Sequence, residues 1–183
     1  MKQSKFAITM HWAAFLSCLL TVLFVYLFRT FNHKALHALA ITFGTTFYHF
    51  AMRLLVGALV PKHFDYRKSW FRPAKFEPAL YKALGLRRWK AQLPTYNPRL
   101  FSLQENSLEQ ILCNMCQAEV VHEIIILLSF LPIVFSAVLN GLVAFVITSI
   151  LAAGFDLLFV MLQRFNRPRI EKLMHLQNRR NTH

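Results

Sequence analysis

Apolar residues are concentrated in four long runs, and polar residues are concentrated in the turns and in one long segment between those runs. Residues 7–28 and 142–162 are almost entirely apolar, and each has about the 20-residue length of a helix that crosses a bilayer. Residues 35–60 and 120–139 form two further apolar runs. The pattern predicts an all-α integral membrane protein with about four transmembrane helices.

Two of the runs contain residues that are unusual in a membrane span. His37, His49 and Arg53 lie in the second run, and ionisable residues are costly there unless they face a cavity, a partner or a substrate. Pro132 lies in the third run, where it is predicted to kink or break the helix because proline has no backbone N–H. Pro132 and the Asn140-Gly141 turn leave open a hairpin that enters the membrane and returns without crossing.

Composition and charge agree with a membrane setting and predict its orientation. Hydrophobic residues make up 56% of the chain, and the formal net charge is +13. Ten Lys and Arg lie between positions 61 and 117 and six from position 164 onward, whereas the Asn140-Gly141 turn has none. By the positive-inside rule, both termini and the long polar segment are predicted to be cytoplasmic.

Anionic membrane lipids are the expected counter-charge of the basic residues. Nucleic acid is not expected as a partner, because no motif of a nucleic-acid-binding module is present.

The same pattern divides the chain into four segments. Residues 1–60 are predicted to form an N-terminal transmembrane pair, residues 118–163 a C-terminal transmembrane hairpin, and residues 164–183 a basic cytoplasmic tail. Residues 61–117 are predicted to form a basic amphipathic cytoplasmic subdomain at the membrane interface, between the second and third helices. The alternative for this segment is a loop that lies against the membrane without binding a ligand.

The basic segment contains its own helix signals. Pro78 suits the first turn of a helix and Gly85 suits its end, which together predict a short helix between them. Trp89 and Lys90 follow within a cluster of basic residues. Tryptophan beside Lys and Arg is typical of the membrane interface, so these two residues are candidates for holding a lipid headgroup or a phosphorylated donor.

A longer helix is predicted over residues 107–131. Asn106 is the expected cap, with Glu109 reaching back to it from the third helical position. The second half of this helix is apolar, so its middle is predicted to lie at the membrane boundary.

Glu119, His122 and Glu123 fall near the middle of that helix at positions i, i+3 and i+4, and residues with this spacing share one face. A histidine with neighbouring carboxylates is suited to general acid–base catalysis. The string also resembles part of a zinc motif, but the second histidine that HExxH requires is replaced by Ile126. No metal and no other cofactor is expected, and the alternative left open is a metal site completed by histidines from elsewhere in the chain. The alternative is that these residues pair with the nearby basic segment and have no catalytic role.

A second polar motif follows the last apolar run. Arg164, Asn166, Arg167 and Arg169 form a compact basic block, and guanidinium groups bind phosphate or carboxylate in a bidentate fork. The block is a candidate anion site, and the alternative is a positive-inside anchor. His49 and Arg53 form a further i, i+4 pair that is a candidate for lining the same site.

Several of these motifs together resemble a known family. They are Trp89-Lys90 followed by Leu93-Pro94, Ala118-Glu119 with His122, and the block that runs from Arg164 to Arg169. In this combination, over residues 70–173, the chain resembles the glycosyl-4,4'-diaponeurosporenoate acyltransferase family of small bacterial membrane proteins. The block after the last apolar run is the most specific part of the resemblance.

The resemblance implies a bacterial cell-membrane acyltransferase of carotenoid biosynthesis, which transfers a fatty acyl group to a hydroxyl of a glycosylated carotenoid or another glycolipid. The implied partners are an acyl donor, which is acyl-CoA, acyl carrier protein or phospholipid, and a lipid or glycolipid acceptor. His122 would be the base, with Glu119 or Glu123 orienting it. The implied substrate-binding residues are Arg164, Asn166, Arg167, Arg169, Trp89, Lys90, His49 and Arg53.

Two other function classes fit the sequence. A non-catalytic membrane subunit that binds anionic lipids or a partner complex would have the same topology but would tolerate replacement of His122 and Glu119. A small oligomeric transporter would instead use His37, His49, Arg53 and Asp156 as a polar path through the bilayer.

Overall fold

A computed structural model describes residues 4–181, and within that range the regular structure is entirely helical. Its long helices have the length and apolar composition of membrane spans, which confirms the predicted all-α class. The third span is a composite, since a long α-helix is followed by a turn, a 3₁₀ helix and a short α-helix. The long helices are α1 (Lys5–Phe31), α2 (Lys34–Leu59), α5 (Leu108–Leu128) and α7 (Leu142–Asn181).

Short helices occupy the basic segment between α2 and α5 and the connection between α5 and α7. They are the α-helices α3 (Glu77–Ala83), α4 (Leu86–Trp89) and α6 (Ser136–Leu139) and the 3₁₀ helices Ser69–Phe71, Lys90–Gln92, Pro98–Phe101 and Leu131–Phe135. The segment thus contains regular structure, although its placement as an amphipathic subdomain at the membrane surface stays a prediction.

The chain forms two compact units. The first, called here the apolar unit, comprises Met1–Leu59 and Ile124–Asp156. The second, called the polar unit, comprises Val60–Glu123 and Leu157–His183. Each unit therefore combines segments that are distant in sequence.

In the apolar unit, α1 and α2 pack as an antiparallel pair through aromatic contacts. Phe24 stacks on Phe43 with 5.4 Å between ring centroids, and Phe28 lies 4.7 Å from the ring of His37. The tight connection is possible because Asn32 adopts a left-handed conformation with φ of 48° and donates its N–H to the Phe28 carbonyl. Large apolar side chains on the outer faces of the long helices remain exposed, as is expected of surfaces that contact lipid.

Pro132 ends the regular part of the third span, as the sequence predicts. Helix α5 stops at Leu128, and a 3₁₀ helix, Leu131–Phe135, contains the proline. Because Pro132 has no N–H, the Leu128 carbonyl four residues earlier loses its helical donor. The hydroxyl of Tyr48 donates to that carbonyl at 2.9 Å, so α2 supplies the hydrogen bond that the proline removes.

Helix α5 begins with a reciprocal cap that differs from the predicted one. The hydroxyl of Ser107 accepts from the Gln110 N–H at 3.2 Å, and the Gln110 side chain accepts from the Ser107 N–H at 2.8 Å. The prediction of an Asn106 cap with Glu109 was wrong by one residue. The Asn106 amide instead donates to the carbonyls of Arg99 and Ser102, so the preceding turn decides its role.

The short helix α3 has the predicted signals at both ends. Pro78 lies in its first turn, and Gly85 follows its last turn with φ of 62°. This left-handed conformation is accessible to glycine at little cost, and it turns the chain directly into α4.

Candidate functional site

Glu119 is the centre of a buried network of charges in the polar unit. Its side chain is 0% exposed, and it accepts hydrogen bonds from both Arg164 and Arg167 of α7. The Arg164 bond measures 2.7 Å, and the Arg167 side chain is itself only 1% exposed. A buried carboxylate and a buried guanidinium are stable only as partners, so Glu119 and Arg167 are fixed in place by each other.

The same two arginines hold the 3₁₀ turn Ser69–Phe71 and the residue after it. Arg164 donates to the carbonyls of Trp70 and Arg72, and Arg167 donates to the Phe71 carbonyl between them. The Arg167 guanidinium also lies 5.1 Å from the centroid of the Phe71 ring. Three successive carbonyls of an irregular segment therefore find their donors on one helix, which explains how this turn is held without a strand or a longer helix.

Glu77, at the start of α3, is a second carboxylate in the network. It pairs with Arg164 at 2.7 Å and accepts from the Tyr81 hydroxyl at 2.9 Å and from the Ala74 N–H at 3.1 Å. Burial alone would raise the pKa of Glu77, but these hydrogen bonds outweigh it and leave the pKa below its ordinary value. Burial, and then the contact with this carboxylate, raise the pKa of Tyr81, so the phenol is a hydrogen-bond donor at neutral pH.

The network contains two carboxylates and two guanidinium groups, and its formal charge is therefore balanced. Most arginine N–H groups already have protein acceptors, but Nε of Arg167 has no hydrogen-bond partner within the part of the chain that the structure describes. Arg164 is the more accessible arginine, with 17% of its side chain exposed. A ligand oxygen would thus meet Arg164 at the accessible edge of a preorganised, charge-balanced network.

His122 and Glu123 lie beside the network on α5 and make separate contacts. The His122 ring stacks on Phe159 with 4.7 Å between centroids and an angle of 11° between the ring planes. Glu123 accepts a hydrogen bond of 3.0 Å from the indole N–H of Trp70. The stacking fixes the plane of the imidazole, and the indole fixes the carboxylate of the next residue.

Lys90, Asn166 and Arg169 form a more accessible basic cluster around the ring of Phe165. Lys90 donates to the Asn166 side chain at 2.8 Å and lies 5.1 Å from the ring centroid, while the exposed Arg169 guanidinium lies 4.3 Å from it. Partial burial, followed by the charges of Arg169 and Arg87, lowers the pKa of Lys90. Two cations held against one aromatic ring, beside an amide group, are suited to an anionic oxygen ligand.

The structure brings most of the predicted site residues into the polar unit but gives them different surroundings. Trp89 donates its indole N–H to the Leu84 carbonyl and so closes the turn after α3. His49 and Arg53 belong to the apolar unit, where Arg53 pairs with Asp156 and donates to the carbonyls of His49 and Ala152. No group of three or more potential metal ligands occurs in residues 4–181.

Glu77, Tyr81, Trp70 and Phe159 were not identified from the sequence. A signal for Glu77 exists, because only eight acidic residues occur in a chain with 21 Lys and Arg. An acidic residue within the most basic segment is therefore expected to have a specific partner. The aromatic residues give no comparable signal, since aromatic residues account for 14% of the sequence and most of them are unrelated to the network.

Comparison with known proteins gives one family. Residues 67–176 match the model of the family described as glycosyl-4,4'-diaponeurosporenoate acyltransferase, which confirms the resemblance seen in the sequence. The matched range contains Glu77, Glu119, Arg164 and Arg167 of the network together with His122. No curated protein and no solved structure matches the chain significantly.

Proposed function

The chain belongs to the glycosyl-4,4'-diaponeurosporenoate acyltransferase family, and from this premise we propose that it transfers a fatty acyl group to a hydroxyl of a glycosylated carotenoid or another glycolipid. Membership of the family indicates an acyltransferase of carotenoid biosynthesis. The four apolar helices indicate a membrane protein. The acceptor, the donor and the residues that act on them are part of the proposal.

The observation that supports the proposal most directly is the coincidence of the family match with the buried network. The match extends from the 3₁₀ turn to the part of α7 beyond the arginine block. Glu119 and Arg167 lie inside that range as a fully buried ion pair. The desolvation cost of such a pair largely offsets its electrostatic attraction, so it adds little net stability to a fold. Its benefit is greater where it holds charged groups in position for a reaction.

His122 is the proposed general base. It would take the proton from the acceptor hydroxyl as the oxygen attacks the acyl carbonyl carbon. The new ester bond forms as the bond between the acyl carbon and the donor's leaving atom breaks, and the proton on the imidazole then passes to the leaving group. The near-parallel stacking of the His122 ring on Phe159 supports this role because it restricts rotation of the imidazole. Less conformational entropy is then lost when the imidazole reaches a reactive geometry.

Glu119 and Glu123 have different proposed roles in this scheme. Glu119 accepts hydrogen bonds from two arginines, so it would act by holding Arg164 and Arg167 in place and by stabilising a charged imidazole on the same face of α5. Glu123 is bound by the Trp70 indole and would orient the acceptor or the base. Arg164, with its accessible edge, would stabilise the oxyanion that forms on the acyl carbonyl.

The donor's phosphate is the proposed ligand of the cluster around Phe165. Lys90, Asn166 and Arg169 are supported in this role by their charge and accessibility, and Trp89 lies beside Lys90 in the sequence. Acyl-CoA, acyl carrier protein and phospholipid all carry such a phosphate, and anionic membrane lipids would be weaker ligands of the same surface. His49 and Arg53 are proposed to contact the lipid part of a substrate in the apolar unit.

The test compares intact protein with His122→Gln and His122→Ala in bacterial cells that make a glycosylated carotenoid. We expect a lipid that is heavier by one fatty acyl unit only with the intact protein, as measured by mass spectrometry of extracted pigments and polar lipids. Removal of a general base reduces the rate by about 100- to 10,000-fold, so the product should nearly disappear in both variants.

His175→Ala is the matched control, because it also removes an imidazole from a long helix but at an exposed position of α7. Product formation should be unchanged in this control at equal protein abundance in the membrane fraction. Undiminished product in both His122 variants would remove that residue from the mechanism. Absence of product with intact protein, when donor and acceptor are both present, would instead favour a non-catalytic membrane subunit.

A further inference from the structure

Among the residues that the structure describes, two buried polar side chains in the apolar unit have no hydrogen-bond partner. They are His49 of α2, whose residue is 6% exposed, and Ser149 of α7, whose residue is 0% exposed. Within residues 4–181, neither ring nitrogen of His49 forms a hydrogen bond, and the Ser149 hydroxyl forms none either. A buried polar group that is left unpaired is costly, so each of these positions calls for a ligand or for water.

Ser149 differs from the other hydroxyl groups of the long helices. Ser17, Thr45 and Thr148 each donate to the carbonyl four residues earlier in their own helix, and Ser129, directly after α5, donates to the Ile125 carbonyl in the same way. This local bond is the usual way for a helix to satisfy a hydroxyl away from water. The hydroxyl of Ser149 does not make it and is therefore available to another group.

The contacts between α2 and α7 place His49 and Ser149 at the same level. Near the start of both helices, a Cβ atom added at Gly141, just before α7, would come within 2.8 Å of the Ile41 side chain of α2. Further along, Arg53 of α2 donates to the Ala152 carbonyl of α7. The two helices therefore run in the same direction, with a numbering offset of about 100, since each residue of a helix advances by about 1.5 Å. His49 precedes Arg53 by one turn and Ser149 precedes Ala152 by one turn, so both lie on the facing sides.

The charges beside these two residues are already balanced. Arg53 pairs with Asp156, which is 1% exposed, and Arg53 also donates to the carbonyls of His49 and Ala152. A neutral imidazole offers one donor and one acceptor, and a serine hydroxyl offers both. The available groups thus favour an uncharged oxygen over a phosphate or a carboxylate, which would add an unbalanced charge.

We propose that His49 and Ser149 bind one uncharged oxygen group, a hydroxyl or an ester carbonyl, of a lipid within the apolar unit. The identification of the ligand as a lipid rests on the proposed function, whereas the unpaired groups are a feature of this chain's own geometry. The site would hold a polar point on an otherwise apolar chain and so determine how far that chain enters the protein.

The test observes binding without turnover. Intact protein with isotope-labelled histidine is placed in nanodiscs of a diether phosphatidylcholine, which has no ester carbonyl, and the imidazole nitrogen resonances are recorded. The His49 resonances are those that disappear in His49→Gln. Hexadecanol, methyl palmitate and hexadecane are then titrated in turn, so that the hydroxyl, the ester carbonyl and the apolar chain alone are compared.

A saturable shift of the His49 resonances by hexadecanol or by methyl palmitate, with none by hexadecane, is the expected result, and the effective probe identifies the oxygen group. Ser149→Ala should weaken that binding by about fivefold, the effect of losing one hydrogen bond. Ser129→Ala is the matched control, because this equally buried hydroxyl already donates to the Ile125 carbonyl of α5, and binding should be unchanged.

The proposal would be overturned by equal shifts with hexadecane, by no shift with any probe, or by binding that Ser149→Ala leaves unchanged. If no probe causes a shift, bound water is the expected occupant. The outcome is separate from that of the proposed function. If the protein binds the probe but makes no acylated lipid, only the proposed acyltransferase activity is contradicted. If the protein is active but no probe shifts the His49 resonances, only the proposed binding site is contradicted.

Discussion

Among single residues, Glu119 has the largest predicted effect on stability. Glu119→Gln would leave two guanidinium groups without their shared carboxylate in a buried setting, and breaking a buried pair in this way costs about 3–5 kcal/mol. We expect a clear fall in the melting temperature of the purified protein in detergent. Glu123→Gln is the matched control, because its partner Trp70 is 64% exposed and its loss should cost no more than about 1 kcal/mol. Equal melting temperatures for the two variants would contradict a stabilising role for the network.

Glu77 predicts how stability depends on pH. Its pKa in the folded protein is below the ordinary value of 4.5, so the folded state binds this proton less readily than the unfolded state does. The stabilisation is therefore complete above the unfolded-state pKa and is lost as the pH falls through the lowered folded-state pKa. Melting temperatures measured from neutral pH downward should show a smaller acid-induced decrease in Glu77→Gln than in intact protein. Parallel curves for the two proteins would exclude Glu77 as a source of the acid sensitivity.

Among the helices and turns, two glycines allow a comparison in which backbone conformation is the variable. An added Cβ would meet no atom within 4 Å at Gly85 or at Gly57, but only Gly85 has a positive φ, of 62°. Gly85→Ala should destabilise the turn between α3 and α4 by about 1 kcal/mol, because an L-residue is strained in the left-handed region. Gly57→Ala lies inside α2 and should stabilise by up to about 1 kcal/mol, since alanine is the better helix former. If Gly85→Ala and Gly57→Ala change the melting temperature in the same direction, the positive φ at Gly85 is not maintained in the protein.

For the whole molecule, the distribution of basic residues predicts which parts lie on which side of the membrane. The long segment with Lys82 is expected on the cytoplasmic side, and the turn with Asn140 on the opposite side. Cysteine is introduced at one of these two positions in a variant whose native cysteines are replaced by serine. A membrane-impermeant maleimide added to intact cells should then label Asn140→Cys but not Lys82→Cys. Labelling of both in lysed cells is the control, and labelling of neither or both in intact cells would contradict the four-span topology.

The sequence by itself determined the helical class, the four apolar helices and the family. These follow from properties that are local or nearly local, which are the length of an apolar run, the missing N–H of Pro132, and the conformational freedom of Gly85. The arginine block was also recognisable as a candidate anion site, because the sequence alone gives the charges and their spacing. The cap of α5 shows the limit of local reading, since Asn106 and Ser107 are both good caps and only the contacts of the preceding turn separate them.

Only the tertiary structure decided which charges meet. The sequence grouped Glu119 with His122 and Glu123 on one face of α5, but the strongest partners of Glu119 are Arg164 and Arg167 of α7, and Glu77 joins them from α3. Such pairings depend on the free energy of burying opposite charges together, which is a property of distances between elements rather than of spacing along one element. The same reason applies to His49 and Ser149, whose facing positions depend on the packing of α2 against α7.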